Sequence, residues 1–278
     1  AARFVLLSRE NFLTRKDTPT LADRWMESRL ARGIARITEG YEALDLAQAA
    51  RDAYGLIWSE FCDWYIEAAK PALKEGNAHT LRTLERVLGE LLKLLHPIMP
   101  FLTSELYQAL TGKEELALEA WPSPGQVDEE AEEAFQSVMD AVTAVRALRA
   151  ELGLAPTQAL EVQVEGPGAE VVLQEKALLE FLARATPRPG RPEKALAQVF
   201  PSLTVHLVLE GLLDLSEWRR RQEKRLKELE AMVERSQKKL QSPAFREKAP
   251  PEVVRTEEER LRENLAQVER IRQNLSRI

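Results

Sequence analysis

The sequence predicts a mainly α-helical protein with an up-and-down helix bundle, a small α/β module and an antiparallel coiled-coil hairpin. Apolar residues recur every three or four positions through most of the first 110 residues, which is the period of an α-helix. Two short runs in the middle of the chain have the alternation or β-branched content of strands. Two long charged runs near the C-terminus carry a narrow apolar seam, which is typical of a coiled coil. We therefore expect three regions, at residues 1–125, 126–211 and 212–278.

Composition excludes several classes of protein. Cys62 is the only cysteine, so an internal disulfide and a cysteine-based zinc site are excluded, and we expect a core thiol. No apolar run approaches the ~20 residues that span a bilayer and no signal-peptide pattern opens the chain, so we expect a cytoplasmic protein without membrane contact. The abundance of Leu, Ala, Glu and Arg fits a heat-adapted source.

Charge is unevenly distributed along the chain. The formal net charge is −6, but residues 214–278 hold 17 Lys and Arg against 13 Asp and Glu, whereas the other residues hold 22 against 32. An acidic body with a basic C-terminal segment suggests a polyanionic partner for that segment. On charge alone, a solvated charged coil explains the pattern equally well.

The first residues predict the opening helices of the bundle. The apolar run at residues 4–7 begins almost at the first residue, so we expect a fragment of something larger. Thr20, with Asp23 three residues later, predicts a helix start. A second helix is expected over residues 45–69, with Pro71 ending or kinking it.

Aromatic side chains are concentrated in this second helix. Tyr54, Phe61 and Tyr65 follow helical spacing, and Trp58 and Trp64 widen the apolar face. We therefore expect most of the helix to be buried, and we favour core packing of these rings over a base-stacking platform.

A proline corner separates the third and fourth predicted helices. The third helix, residues 78–95, meets His96, Pro97 and then Pro100 before the helical pattern resumes. The two prolines remove two backbone donors and disfavour helix in the residues before them. Because the flanks are apolar, we expect a buried corner between two helices on a common core.

The middle of the chain predicts the α/β module. A long amphipathic helix is expected over residues 128–152, ended by Gly153, and a second helix over residues 171–185. Residues 160–164 and 203–209 predict strands. Between the second helix and the second strand, we expect a stiff linker formed by Pro187, Pro189 and Pro192.

The C-terminal segment predicts a helical hairpin. Apolar residues at spacings of three or four are interrupted by Ser242-Pro243, and Pro250-Pro251 starts a second helix in a position that proline prefers. Folding about residues 246–247 places position 235 opposite about 258, so Arg235 and Arg260 become near neighbours. Further cations cluster toward the tip, at Lys238, Lys239, Arg246 and Lys248.

The chemistry that the residues support is binding. The sequence has no Gly-rich phosphate loop, no His/Glu metal pair at helical spacing and no serine elbow. The isolated His79, His96 and His206 favour structural roles. The basic, rigid tip suits the phosphates of folded RNA. Near the N-terminus, Arg3-Phe4 pairs a cation with a ring that can stack on an unpaired base.

Several segments resemble the anticodon-binding bundle of class I aminoacyl-tRNA synthetases, in the valine, isoleucine and leucine group. These are residues 21–30 (LADRWMESRL), 58–67 (WSEFCDWYIE) with Lys70, and 96–106 (HPIMPFLTSEL). The C-terminal segment is similar to the coiled coil of the valyl-tRNA synthetase family. That similarity is carried by residues 144–152 (AVRALRAEL), 211–217 (GLLDLSE), 243–250 (PAFREKAP) and 252–254 (EVV).

The resemblance implies a tRNA-recognition role. The family's His-Ile-Gly-His and Lys-Met-Ser-Lys-Ser type motifs and its editing domain are absent, so catalytic residues are expected elsewhere in a whole enzyme that uses ATP and Mg to join valine to tRNA(Val). The expected partners are tRNA(Val) and the catalytic and editing domains of the same chain, in a monomer. The resemblance places Arg3, Phe4 and Lys70 at the anticodon. It places the arm at the tRNA elbow, where the register given above makes Arg235 and Arg260 the main expected contacts and Lys238, Lys239 and Arg246 the secondary ones.

Two other hypotheses remain open. A non-catalytic scaffold whose hairpin binds a partner coiled coil explains the apolar seam but not the basic excess or the bundle motifs. The other hypothesis is a general RNA-binding protein without tRNA selectivity.

Overall fold

A computed structural model describes residues 1–10, 12–192, 195–209, 215–242 and 251–277. It confirms a mainly α-helical chain with one small mixed sheet. The described residues form two compact units, one from Ala1–Val142 and Pro167–Arg184, the other from Thr143–Gly166 and Ala185–Ile278. Among the described helices, none combines the length and the apolar character needed to cross a lipid bilayer.

The first unit is a helix bundle. Its opening helices are α1 (Ala2–Ser8), α2 (Leu21–Glu42), α3 (Leu46–Tyr54), a π-helical segment (Gly55–Tyr65) and α4 (Ile66–Lys74). The chain continues through α5 (Ala78–Leu95), α6 (Pro100–Thr111), a 3₁₀ turn (Leu116–Leu118) and the first half of α7 (Glu129–Leu152). Two short helices complete the unit, α8 (Ala169–Gln174) and α9 (Lys176–Ala183).

The ends of these helices follow local capping chemistry. Thr20 and Asp23 form the predicted reciprocal capping box at the start of α2. Asn77 caps α5, and its side-chain amide also donates to the carbonyl oxygen of Thr18 at 2.9 Å. Gly112 ends α6 in the left-handed conformation, with φ of 77°. The start at Thr20 could be predicted because its signal lies within a few residues of sequence.

A buried polar network around Asp23 connects three elements of the bundle. Its carboxylate accepts hydrogen bonds from Tyr65 Oη at 2.6 Å, Thr80 Oγ1 at 2.8 Å and the Thr20 amide at 2.9 Å. The side chains of Asp23 and Tyr65 are fully buried. The network therefore fixes α2 against the π-helical segment and α5.

A second polar contact joins α2 to α7. Glu132 accepts hydrogen bonds from Ser28 Oγ at 2.6 Å and Arg32 Nε at 2.9 Å, and it forms an ion pair with Arg29 at 3.4 Å. Beside it, the rings of Trp25 and Phe135 stack with centroids 4.5 Å apart. Aromatic stacking and charge pairing thus hold the same two helices together.

The prediction that the aromatic helix is mostly buried was wrong for two of its rings. Phe61 and Tyr65 are fully buried, but Tyr54 is 64% exposed and Trp58 is 55% exposed. The rings of Tyr54 and Trp58 lie nearly parallel, with centroids 6.3 Å apart. The π-helical turns are wider than α-helical turns, so a spacing of three or four residues does not keep these rings on one face.

The proline corner exists as predicted, but the prediction that it is buried was wrong. Pro97 and Pro100 are exposed, and Phe101 is 91% exposed. The turn is held from within, because His96 Nδ1 hydrogen bonds to the buried Thr103 Oγ1 at 2.8 Å. The apolar flanking residues therefore belong to the two helices, and they gave no information about the burial of the turn between them.

The second unit contains a four-stranded sheet in the order β2-β1-β4-β3. The strands are β1 (Leu160–Glu165), β2 (Ala185–Pro189), β3 (Ala195–Val199) and β4 (Thr204–Val208). The pair β1–β2 is parallel, whereas β1–β4 and β3–β4 are antiparallel. The prediction found β1 and β4 but took the prolines of β2 for a linker, although an edge strand tolerates proline.

Two long helices complete the second unit. Helix α10 (Leu215–Gln241) and helix α11 (Pro251–Arg277) pack through a seam whose buried centre is Leu229, Val233, Val268 and Ile271. Ser236 hydrogen bonds to Glu257 and Arg272 hydrogen bonds to Glu230. Residues later in α10 therefore contact residues earlier in α11. This confirms the antiparallel hairpin, which we call the arm, and the predicted register near position 235.

Candidate nucleic-acid interface

The first candidate surface lies on α1 and α4. Lys70 Nζ sits 5.9 Å from the centroid of the Phe4 ring, within the range of a cation–π contact. Lys70 also forms an ion pair with Glu67 at 2.5 Å. Arg3 is exposed, while Phe4 and Lys70 are partly exposed. The structure therefore brings Phe4 and Lys70 together, with Arg3 next to Phe4 in sequence.

Helix α1 is short, but contacts on both sides hold it in place. Val5 is fully buried. Arg9 donates to the Leu110 carbonyl oxygen at 2.7 Å and pairs with Glu85 at 2.6 Å, which fixes α1 against α5 and α6. Ser8 Oγ donates to the Phe4 carbonyl oxygen at 2.8 Å. Phe4 is therefore presented on a supported backbone, which lowers the entropy lost when a ring stacks on a ligand.

A groove of about 630 Å³ runs along α5, beside α1 and α6. Sequence reasoning missed it because its residues come from segments far apart in the chain. Its cations are matched by acids: Arg9 by Glu85 and Arg86 by Glu27, the latter at 2.5 Å. These pairs balance the charge in the groove, so it is a weaker candidate for a polyanion than the surface at Phe4.

The second candidate surface lies on the arm. Arg235 and Arg260 are both exposed. Lys239 pairs with Glu257 at 2.8 Å, beside the hydrogen bond that Ser236 Oγ donates to Glu257 at 2.7 Å. Hydrogen bonds from Lys239 and Ser236, together with the charge of Arg260, lower the pKa of the Glu257 carboxyl. The structure thus gathers Lys239 and Arg260 around Glu257, next to position 235.

The cations of the arm differ in their local partners. Lys238 pairs with Glu234 at 2.5 Å and Lys239 with Glu257, so each lysine is partly neutralised within the arm. Within the described part of the arm, no carboxylate forms an ion pair with Arg235. Arg246 lies outside the described residues, as does Lys248. Arg235 is therefore a better candidate than the two lysines for an external phosphate.

The remaining reactive residue types have structural partners. His206 Nε2 hydrogen bonds to Glu165 at 2.9 Å, and His79 Nδ1 lies 4.0 Å from Asp17. Burial raises the pKa of the Cys62 thiol, which opposes thiolate formation. No group of three or more His, Cys, Asp or Glu side chains converges on a metal position in the part of the chain that the structure describes.

Comparison with known protein families agrees with this arrangement. Residues 23–164 match the model of the anticodon-binding domain of tRNA ligase, and residues 214–278 match that of the valyl-tRNA synthetase tRNA-binding arm. The first match runs from the third residue of α2 through α7 into β1, and the second includes both arm helices.

Individual relatives extend the similarity along the whole chain. A valine–tRNA ligase of Thermus thermophilus is 69% identical over 278 residues, which is 100% of this chain and 32% of the relative. That of Deinococcus radiodurans is 44% identical over 93% of this chain and 29% of the relative. That of Thermotoga maritima is 36% identical over 99% of this chain and 33% of the relative.

The chain therefore spans about a third of the length of the curated relatives that it matches. The domain matches cover most of the helix bundle, without α1, α8 and α9, and both helices of the arm. The chain belongs to the valyl-tRNA synthetase family, as a part that contains the anticodon-binding domain and the tRNA-binding arm.

Proposed function

We propose that this chain is the tRNA-recognition part of a valine–tRNA ligase. The bundle binds the anticodon through Arg3, Phe4 and Lys70, and the arm binds the tRNA elbow. The observation that supports this proposal best is the Phe4–Lys70 contact on the supported helix α1. A ring beside a cation offers an unpaired base a stacking partner and offers the neighbouring phosphate a positive charge.

The arm contributes affinity through charge and shape. Arg235 and Arg260 are its main contacts, with Lys238, Lys239 and Arg246 as secondary contacts. Arginine suits this position because its planar guanidinium can bind phosphate through two hydrogen bonds or stack on a base. Contacts of this kind read the folded shape of RNA, so they hold the tRNA whatever its anticodon.

The functional division follows the predicted regions. Residues 1–125 bind the anticodon, with residues 1–17 as a junction to the catalytic region, residues 126–211 link the two RNA-binding parts, and residues 212–278 form the arm. The whole enzyme acts as a cytoplasmic monomer, charges tRNA(Val) with valine using ATP and Mg, and edits mischarged tRNA. We assign the described residues of this chain no step in that chemistry.

The elbow assignment is tested with the double variant Arg235→Ala/Arg260→Ala. We expect tRNA(Val) affinity to fall by about tenfold or more near 0.1 M salt, because two phosphate contacts are lost. The loss should be the same for tRNA with a native or an altered anticodon. Filter binding or fluorescence anisotropy with both RNAs measures it.

A matched control removes two exposed arginines from the outer surface of α11, as Arg255→Ala/Arg262→Ala. Unchanged affinity in the Arg235/Arg260 variant, or an equal loss in the control, would refute the elbow assignment. A salt titration separates the scaffold hypothesis, since an apolar coiled-coil partnership would not weaken steeply as salt rises.

A further inference from the structure

The outer face of α10 carries a row of cations, of which the elbow contact explains only the last two, Arg235 and Lys238. Successive positions on this face, opposite the apolar seam, are Arg220, Lys224, Lys227, Ala231, Arg235 and Lys238. Their spacings of four, three, four, four and three residues keep them on one side of a helix with 3.6 residues per turn. We call these residues the basic row, and all its cations are exposed.

The basic row extends well beyond the tip of the arm. From Arg220 to Lys238 it covers 18 positions, or about 27 Å at 1.5 Å per residue. The seam of buried apolar side chains on the opposite side of α10 fixes the orientation of the row. The cations at its beginning therefore lie several helical turns from Arg235, on the same face.

Among the described residues, most cations of the basic row are not paired with a nearby carboxylate. Glu234 pairs with Lys238 at 2.5 Å, and Glu223 pairs with Arg219 beside the row at 3.8 Å. For Arg220, Lys224 and Lys227, no ion-pair partner occurs among the described residues. These three side chains can exchange water and counterions for an external anion without breaking an internal pair.

Among the side chains of α11 that the structure describes, no such row occurs. The outer face of α11 alternates in charge, with Arg255, Glu259, Arg262 and Glu269 at corresponding positions. Across their described lengths, α10 holds nine cationic and five anionic residues, whereas α11 holds six of each. The positive surface of the arm thus belongs to α10.

From this asymmetry we propose that the basic row is a second phosphate-binding surface, which runs along a double-helical stem of the bound tRNA. A straight row of cations without aromatic residues fits a regular sugar-phosphate backbone, whereas unpaired bases require ring faces for stacking. This proposal rests on the proposed function, and it extends the contact from the elbow toward the beginning of α10.

The test uses the 278-residue chain and a valine-accepting tRNA, with affinity measured across a salt titration. The variant Lys224→Gln/Lys227→Gln removes two charges but keeps long side chains that suit a helix. We expect the slope of log affinity against log salt to become shallower by about one for each lysine. Affinity near 0.1 M salt should fall by about ten- to a hundredfold.

The matched control is Arg255→Gln/Arg262→Gln, which removes two charges from the outer face of α11. We expect it to keep the wild-type slope, and circular dichroism should show unchanged helix content in both variants. An unchanged slope in the Lys224/Lys227 variant, or the same change in the control, would refute the proposal that the basic row binds phosphates. If Arg235→Ala/Arg260→Ala still weakens binding in that case, only the basic row has failed. If the wild-type chain does not bind tRNA, the proposed function has failed and the basic row with it.

Discussion

At the scale of single residues, the bundle depends on buried polar groups whose partners come from other helices. Tyr65 donates its phenol hydrogen to Asp23 at 2.6 Å in a fully buried site. Two opposing effects determine the pKa of Glu132. Burial alone would raise the pKa of Glu132, but hydrogen bonds from Ser28 and Arg32 and the charges of Arg29 and Arg32 outweigh it, so the pKa is lowered. Glu132 therefore stabilises the fold as a carboxylate, and that contribution is lost as the pH falls through its folded-state pKa.

Tyr65 predicts a pH dependence of the opposite sense. Burial, followed by the charge of Asp23, raises the pKa of Tyr65 well above 10. Above about pH 10 the unfolded phenol loses its proton while the folded one keeps it. The free energy of unfolding then falls by up to about 1.4 kcal/mol per pH unit until the folded-state pKa is reached. The variant Tyr65→Phe should lose this contribution to the slope, as denaturant titrations between pH 9 and 11.5 would show.

At neutral pH, Tyr65→Phe should itself be destabilised by about 1–3 kcal/mol, since buried Asp23 loses a donor. The control is Tyr54→Phe, which removes an exposed phenol and should keep the wild-type slope. In every variant the free energy of unfolding should still fall with pH to some extent, because burial also raises the pKa of Tyr41 and Tyr107. A Tyr65→Phe slope equal to that of the wild type would contradict this assignment.

At the scale of elements, the arm combines an apolar seam with polar interruptions. Asn264 is 9% exposed in the seam, and its Nδ2 has no hydrogen-bond partner among the described residues. A buried amide that lacks a partner destabilises a fold, but a polar residue in a coiled-coil seam also restricts register. We infer that Asn264 lowers the stability of the arm while limiting slippage between α10 and α11.

This inference predicts that Asn264→Leu stabilises the arm. Backbone amides of α11 should exchange hydrogen about tenfold more slowly, which corresponds to about 1.4 kcal/mol of local stability. The matched control is Ala266→Leu, which places the same side chain at an exposed position two residues away. Faster exchange in Asn264→Leu than in the wild type would show that Asn264 stabilises the native register.

Helix ends and the arm were predictable because their signals are local. The Thr20–Asp23 capping box and the proline start at Pro251 each depend on a few neighbouring residues. The exposure of Trp58 was not predictable from a 3.6-residue period, because that period does not hold in the π-helical segment that contains it. Strands β2 and β3 were missed because each owes its structure to a distant strand of the same sheet.

The candidate site was predictable in part, where its signals are local in the sequence. The arm register followed from the turn position and the seam, so the neighbourhood of Arg235 could be assigned from sequence. The contact between Lys70 and Phe4 joins residues far apart in the chain, and only the resemblance pointed to both. The groove along α5 left no sequence signal, since its charges pair across several elements.

At the scale of the whole molecule, the proposed function gives one chain two kinds of RNA recognition. The surface at Phe4 uses a ring and a cation, which suit unpaired bases, whereas the arm uses exposed cations on a rigid hairpin, which suit backbone and shape. Affinity from the arm should therefore be independent of the anticodon, and discrimination should come from the bundle. Affinity and anticodon discrimination should therefore be separable functions of the arm and the bundle.

Binding of the 278-residue chain to tRNA(Val) with its native and with an altered anticodon tests that claim most directly. We expect about 5- to 150-fold weaker binding of the altered tRNA, since a stacked base contributes about 1–3 kcal/mol. Phe4→Ala should abolish most of this difference, whereas Phe101→Ala, at the exposed proline corner, should preserve it. Equal affinity of the wild-type chain for both tRNAs would contradict the account and favour general RNA binding.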